Sequence, residues 1–286
     1  MCERYILVNT VEQIESRFEL PHQSITLTPN YNISVNQFVP VITGDKPHEI
    51  QLLNFGLTPF WAKNEMLIIN ARAEGDSNRE DKPGFKGSKG IILKPAFRKP
   101  IRSQRCLVLS SAFIVFAYEG KSVKPYLVFL RDHQNPFAIA GIYDTWLNPQ
   151  TGNNINSFSI ITTSANSLMQ KIGQHRMPVI LARNEEKKWI NPDTALSTIT
   201  SMLNHYESKL MNAYPIDPRI KNPMANDKQL ILPIRERVLI EEKTAFINFP
   251  YTSGYHQSRR ANKSADTSTM EERLEQARKK EGQTNI

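Results

Sequence analysis

FAIAGIY (Phe137–Tyr143) and SFSIITT (Ser157–Thr163) are short apolar runs rich in Ile and Phe, set close together in the chain. Runs of this length and composition read as buried β-strands. Four more of the same kind stand at Phe38–Thr43, Leu67–Asn70, Arg105–Leu109 and Tyr126–Leu130. Helical patterns are fewer. Thr10 and Gln13 form a capping box ahead of Val11, Ile14 and Phe18, which share one helical face. A second helix is expected to start near Ser164-Ala165-Asn166, and two more around Asn184–Ile190 and Asp193–Tyr206. Strands outnumber helices and do not alternate regularly with them. The expected fold class is therefore α+β, with a curved, largely antiparallel sheet.

Outside these runs the chain is more polar. Residues 75–90 (GDSNREDKPGFKGSKG) read as a partly mobile surface loop. From about Tyr251 the composition turns to Ser, Thr, Asn, Gln and charge, and a thin polar helix is expected to open at Thr269. A domain over residues 1–238 is expected, with an extension over 239–286 that is weakly ordered from about 252. The 286 residues are 40% apolar with only 12 glycines, enough for a packed core and unlike a disordered or collagen-like chain. Two cysteines, Cys2 and Cys106, make no disulfide framework, and a reducing compartment is the default. No apolar run approaches a membrane span, and Met1-Cys2-Glu3-Arg4-Tyr5 lacks the layout of a signal peptide. A soluble, cytoplasmic monomer is expected. The net charge of +8 is read equally well as a footprint for nucleic acid or as a solvated basic surface.

Four segments carry residues capable of chemistry. Cys2 follows Met1, and a small residue at position 2 permits Met1 removal. That would leave a 1,2-aminothiol, with an amine pKa of about 7.7–8.0 and a thiol pKa of about 8.5. Such a group condenses with an aldehyde to an imine and then closes a thiazolidine ring. From position alone, a small residue at a frayed terminus is the favoured reading. Asn70, Arg72 and Glu74 alternate along a strand end and make a polar cluster if they share a face; a solvated edge is the plainer alternative. Lys94, Arg98, Lys99, Arg102 and Arg105 place five basic residues within twelve positions around Phe97, suited to phosphates or merely solvated. His175 and Arg176 precede the apolar Met177–Leu181, and His175 reads as a general acid or base or as a structural histidine. The remaining histidines and the cysteines have no metal-ligand spacing, and there is no P-loop, dinucleotide fingerprint or nucleophile elbow, so no metal or cofactor is expected.

From Cys2 to about Pro233 these segments, in order, resemble the SOS response-associated peptidase family, the abasic-site processing proteins. The matching landmarks are Met1-Cys2 with Arg4, Asn30-Tyr31-Asn32 with Pro40-Val41, Gly56 to Trp61, and Ile69 to Glu74. Then come Lys94 to Arg98, Arg105-Cys106-Leu107, Phe137 to Gly141 with Trp146, Phe158 to Thr163 with Ala165-Asn166, Arg176 to Leu181, and Tyr214-Pro215 with Asn226-Asp227. The resemblance implies a single domain around a barrel-like β core that binds single-stranded DNA and crosslinks abasic sites through Cys2 as a thiazolidine, with peptidase-like maturation. It implies that Asn70 orients Cys2 and the sugar, that Arg72 and Arg176, joined by Arg4, hold phosphates, and that Trp61 lies beside the lesion; Arg98 of the basic strip is a further candidate for DNA binding.

Two departures from the family pattern stand out. Val115 occupies the position where the family keeps a catalytic glutamate. Gln174 occupies that of its histidine, with His175 next door. Besides these two, Glu3 also replaces a usual glycine beside Cys2. A DNA-binding protein that has lost efficient acid–base catalysis is therefore a second reading. An N-terminal-nucleophile amide hydrolase is a third, ranked last because it leaves the basic strip unexplained.

Overall fold

The computed structural model describes residues 2–120, 122–131 and 135–239. Its elements, in order, are β1 (Arg4–Leu7), α1 (Val11–Phe18), β2 (Asn30–Ile33), β3 (Phe38–Thr43), β4 (Gln51–Phe55), β5 (Asn70–Arg72), α2 (Pro100–Ser103), β6 (Arg105–Ser110) and β7 (Ala112–Glu119). They continue with β8 (Ser122–Leu130), β9 (Phe137–Leu147), β10 (Asn154–Ser164), α3 (Ser167–Lys171), β11 (Arg176–Pro178), α4 (Arg183–Ile190), α5 (Leu196–Ser201) and β12 (Met211–Pro215).

The two apolar runs that suggested a sheet become β9 and β10, at 11 residues each the longest strands described. They pair antiparallel from Asn154↔Leu147 to Ile160↔Gly141. β9 continues to β6, β6 to β3, β3 to β4, and β4 returns to β10 in parallel. The result is a closed, mixed five-strand barrel. Closure removes the edges that an open sheet would expose. Gly141 lies opposite Cys106, and a Cβ there would sit 2.7 Å from the Cys106 sulfur and 2.7 Å from Val108. Glycine is what lets β9 and β6 close up at that point.

A second, all-antiparallel sheet in the order β12-β8-β7-β1-β2 covers the barrel. Tyr5 of β1 meets Phe55 of β4 edge-on at 5.7 Å, and Phe55 stacks on Phe158 of β10 at 5.1 Å. These rings join the two sheets through one apolar core. The expectation of an α+β fold with a barrel-like core is thus met.

Local expectations fare unevenly. The Thr10–Gln13 capping box forms as read. Asn166 caps α3, accepting from the Met169 N–H at 3.0 Å. The strand expected at Leu67–Asn70 instead starts at Asn70, and the helix expected over 193–206 shortens to Leu196–Ser201. The chain after β12 folds back on it, with the Val238 N–H donating to the Ala213 carbonyl at 2.8 Å. The expected extension beyond 252 and the helix at Thr269 lie outside the described residues.

Arg105, read as part of a basic strip, is not available to an anion. It is 1% exposed, and its guanidinium donates to the carbonyls of Ile101 (3.0 Å) and Arg102 at the end of α2, and of Trp189 (2.5 Å) and Asn191 (2.5 Å) at the end of α4. Carbonyls in the last turn of a helix lack intrahelical partners, and one buried guanidinium satisfies them at both helix ends. Arg105→Met keeps the bulk but orphans these carbonyls. It is expected to cost about 3 kcal/mol in urea unfolding; a wild-type midpoint would contradict this role.

Candidate functional site

Beyond its pairing with β9, the C-terminal half of β10 runs between β5 and β11. Arg72 stands opposite Thr162, and Arg176 opposite Ser164. Thr162 and Ser164 are two residues apart, so the alternation of the strand puts both arginines on one face. Arg176 is held firmly. Its Nη2 donates to Glu74 Oε2 (2.8 Å) and to the Thr162 carbonyl (2.8 Å), and its Nε to Thr162 Oγ1 (3.2 Å). Glu74, fully buried, also accepts from Thr163 Oγ1 (2.8 Å) and the Ser164 N–H (3.2 Å).

The remaining donors meet at Asp81. Its Oδ1 accepts from Arg176 Nη1 (2.7 Å) and from Arg72 Nη2, which also donates to the Asn78 carbonyl (2.8 Å). Asp81 and Asn78 belong to the stretch read as a surface loop, yet Asn78 is buried. Two side-chain atoms at this site are buried without a partner: Arg72 Nε and Asn70 Oδ1. Asn70 lies two residues before Arg72 on the same strand and so shares its face.

Cys2 is 2% exposed and lies in the core just before β1. Burial pushes its thiol up to about 12, Glu3 adds to the rise, and the Arg4 backbone N–H opposes it. β1 pairs with β7 in the register Arg4↔Ile114 and Tyr5↔Phe113. Extending that register by two residues brings Cys2 opposite Phe116. Gln174 is buried and donates through Nε2 to the Phe116 carbonyl at 2.9 Å. His175 is exposed, as alternation along the chain requires once Gln174 turns inward. Val115, where the resembled family keeps an acid, is buried in the core.

The other expected phosphate ligands are placed apart from this pair. Arg4 commits its terminal nitrogens to Asn32 Oδ1 (2.9 Å) and the carbonyls of Ile220 (3.3 Å) and Lys221 (3.1 Å). Arg98 is exposed beside Lys99, whose ammonium sits 4.4 Å from the centre of the Phe60 ring. Trp61 is exposed next to Phe60, and the Asp144 carboxylate anchors this loop by accepting from the Phe60 N–H at 2.9 Å. The basic strip and the aromatic loop, 38 positions apart at Trp61 and Lys99, thus converge, which the sequence alone did not signal. Asp81 was missed too, because nothing distinguishes it among the charges of residues 75–90. Among the described residues no group of three or more His, Cys, Asp or Glu is placed to hold a metal, and no helix is long and apolar enough to cross a membrane.

Burial alone would raise the Glu74 carboxyl, but its bond and charge pairing with Arg176 outweigh that and hold it below the ordinary value of 4.5. A carboxyl lowered in the fold stabilises it above that pH and loses the contribution as the pH falls below it. Glu74→Gln is expected to lower stability at pH 7 by about 3 kcal/mol, because Arg176 loses its fully buried charge partner and keeps only Asp81. It should also flatten the fall in stability below pH 4.5. Urea melts from pH 3 to 7, roughly the span over which such a carboxylate titrates, check both; parallel pH profiles for the two proteins would contradict the assignment.

Comparison with known proteins bears on most of the described residues. The family model described as SOS response associated peptidase (SRAP) matches residues 1–223. A Bacillus subtilis protein named abasic site processing protein YoqW is 34% identical over 239 residues, covering 81% of this chain and 99% of its own. A chicken protein (Gallus gallus) named abasic site processing protein HMCES is 24% identical over 191 residues, covering 57% of this chain and 54% of its own. A crystal structure of a protein from Bacteroides thetaiotaomicron superposes with a TM-score of 0.69 at 31% identity, covering 81% of this chain and 99% of that one. The barrel, the Arg72–Arg176 pair and the buried Cys2 therefore sit within a matched region that includes nearly every described element, and the chain belongs to the SOS response associated peptidase family.

Proposed function

We propose that this protein processes abasic sites by binding single-stranded DNA and capturing the ring-opened sugar aldehyde on Cys2. The observation that carries the reading is the pairing of Arg72 and Arg176 on one face, with Asn70 two residues upstream presenting a buried, unpartnered carboxamide oxygen. Two converging guanidiniums suit a phosphate oxygen. The exposed Phe60, Trp61 and Lys99 suit stacked bases and a backbone contact, with Arg98 alongside, in a sequence-tolerant manner.

The chemistry begins once Met1 is removed and Cys2 carries an α-amine. The amine adds to the aldehyde carbon, and loss of one water gives an imine. The sulfur then adds to the same carbon, closing a thiazolidine, and the thiol proton ends on the nitrogen. Burial raises the Cys2 thiol and favours its protonated form, so sulfur follows the amine, and the imine nitrogen is the base beside it. Asn70 Oδ1 orients the amine or a sugar hydroxyl by accepting its hydrogen. His175 stays outside this path because its ring is exposed while Gln174 takes the inward position.

A second reading, a DNA-binding protein that has lost this chemistry, is favoured by two residues. Val115 is buried and cannot move a proton, and the Gln174 amide is committed to Phe116. The two readings separate on a denaturing gel of purified protein with abasic single-stranded DNA. Cys2→Ala is expected to abolish the adduct, and Asn70→Ala to slow it by about 10²-fold. An adduct unchanged in Cys2→Ala would defeat the Cys2 assignment. DNA binding without an adduct, in protein shown by intact mass to lack Met1, would select the second reading.

A further inference from the structure

The Arg72–Arg176 site is already filled by the chain itself. A single oxygen, Asp81 Oδ1, takes a hydrogen bond from each guanidinium, as one oxygen of a bound phosphate would. The carboxylate is aimed there by an unusual backbone. Asp81 has φ +53°, in the left-handed region that L side chains rarely adopt. Around it Asn78 and Lys82 close a turn, with the Lys82 N–H donating to Asn78 Oδ1 (2.9 Å) and Asn78 Nδ2 to the Lys82 carbonyl (3.2 Å). Arg79, Glu80 and Lys82 on the same turn are exposed and anchor nothing apolar. The turn is held down chiefly by ions and hydrogen bonds: Asp81 to the arginines, Asn78 to Arg72, and Asp76 to Lys94.

Charge explains why the occupant matters. Glu74 offsets Arg176 from the buried side, and Asp81 offsets Arg72 from the open side. With Asp81 seated, the cluster is neutral and offers little to an incoming phosphate. With Asp81 withdrawn, it carries one net positive charge in a partly desolvated setting, where charge counts for more than in bulk water.

We propose that Asp81 is a built-in phosphate mimic, and that residues 75–90 form a displaceable cover over the Arg72–Arg176 site. The cover sets selectivity. A free anion gains one contact and must lift the cover for it. A DNA strand also contacts Lys99 and the aromatic loop, and lifts the cover with the combined interaction. This inference rests on the reading that these arginines take DNA phosphates.

The test is binding of an undamaged single-stranded oligonucleotide to the full chain across a salt series, with Asp81→Asn and Asp81→Ser beside wild type. Asparagine tolerates the left-handed backbone at this position, so Asp81→Asn retains the turn. The expectation is about tenfold tighter binding at low salt for both variants. The log–log salt dependence should steepen by about 0.7, because one phosphate contact is no longer exchanged for an internal carboxylate. Inorganic phosphate should compete better against the variants than against wild type. In wild-type protein, hydrogen exchange over residues 75–90 should quicken when the oligonucleotide binds, a readout independent of any variant's folding.

Unchanged or weaker binding in both variants, or slower exchange over 75–90 on binding, would overturn the cover. If Arg176→Ala still abolished binding in that case, the DNA-binding reading would stand without it. No binding by wild type or variants at low salt would remove both.

Discussion

Strand β10 has two jobs, and the rest of the molecule is arranged around them. Its first half must pair with β9 and β4 to close the barrel. Its second half, no longer held by β9, pairs with β5 and β11 instead. A closed barrel offers few places where backbone leaves the ring with its hydrogen bonds intact. Here the exit from the ring builds the paired-arginine cluster, because the two short strands that satisfy β10 each carry an arginine in register. The backbone that carries both arginines is therefore hydrogen-bonded into the barrel seam from which it grows.

The ion cluster on that seam follows the usual logic of buried charge. Placing Glu74 and Arg176 in the interior costs desolvation energy, which for Glu74 the hydrogen bond and charge of Arg176 outweigh. What the pair gains is a fixed guanidinium, because Thr162, Thr163 and Ser164 supply further hydrogen bonds and leave neither partner free to turn. Arg72 is less constrained, with Nε unpartnered and its side chain partly open to solvent. One arginine is a fixed point and the other an adjustable one. That division suits capture of a flexible single strand.

The central architecture was legible because its signals are local. The apolar runs at 137–143 and 157–163 and the Thr10 capping box can each be read from neighbours in sequence. What the sequence concealed depends on pairing at long range. β1 is four residues, and β12 reads MNAYP, too short and too mixed to call a strand until a partner is seen. The expected strand ended at Tyr143, yet β9 runs on to Leu147 and Asp144 is buried, accepting from the Phe60 N–H. At the site, the alternation of Asn70, Arg72 and Glu74 was visible, and so was the arginine before Met177-Pro178. That Glu74 would pair with Arg176 rather than Arg72 was not, since only the β5–β10–β11 register decides it. Arg105 shows the opposite error, a basic residue in a basic run that serves two helix ends instead of an anion.

The most direct measurement of the central claim is a crystal structure of the Met1-free protein with single-stranded DNA carrying one abasic site. The account predicts continuous density from the nitrogen and sulfur of Cys2 to a single sugar carbon, with a phosphate oxygen between Arg72 and Arg176 where Asp81 sits in the free protein. DNA bound elsewhere, with Asp81 still seated on both arginines and Cys2 unmodified, would contradict it.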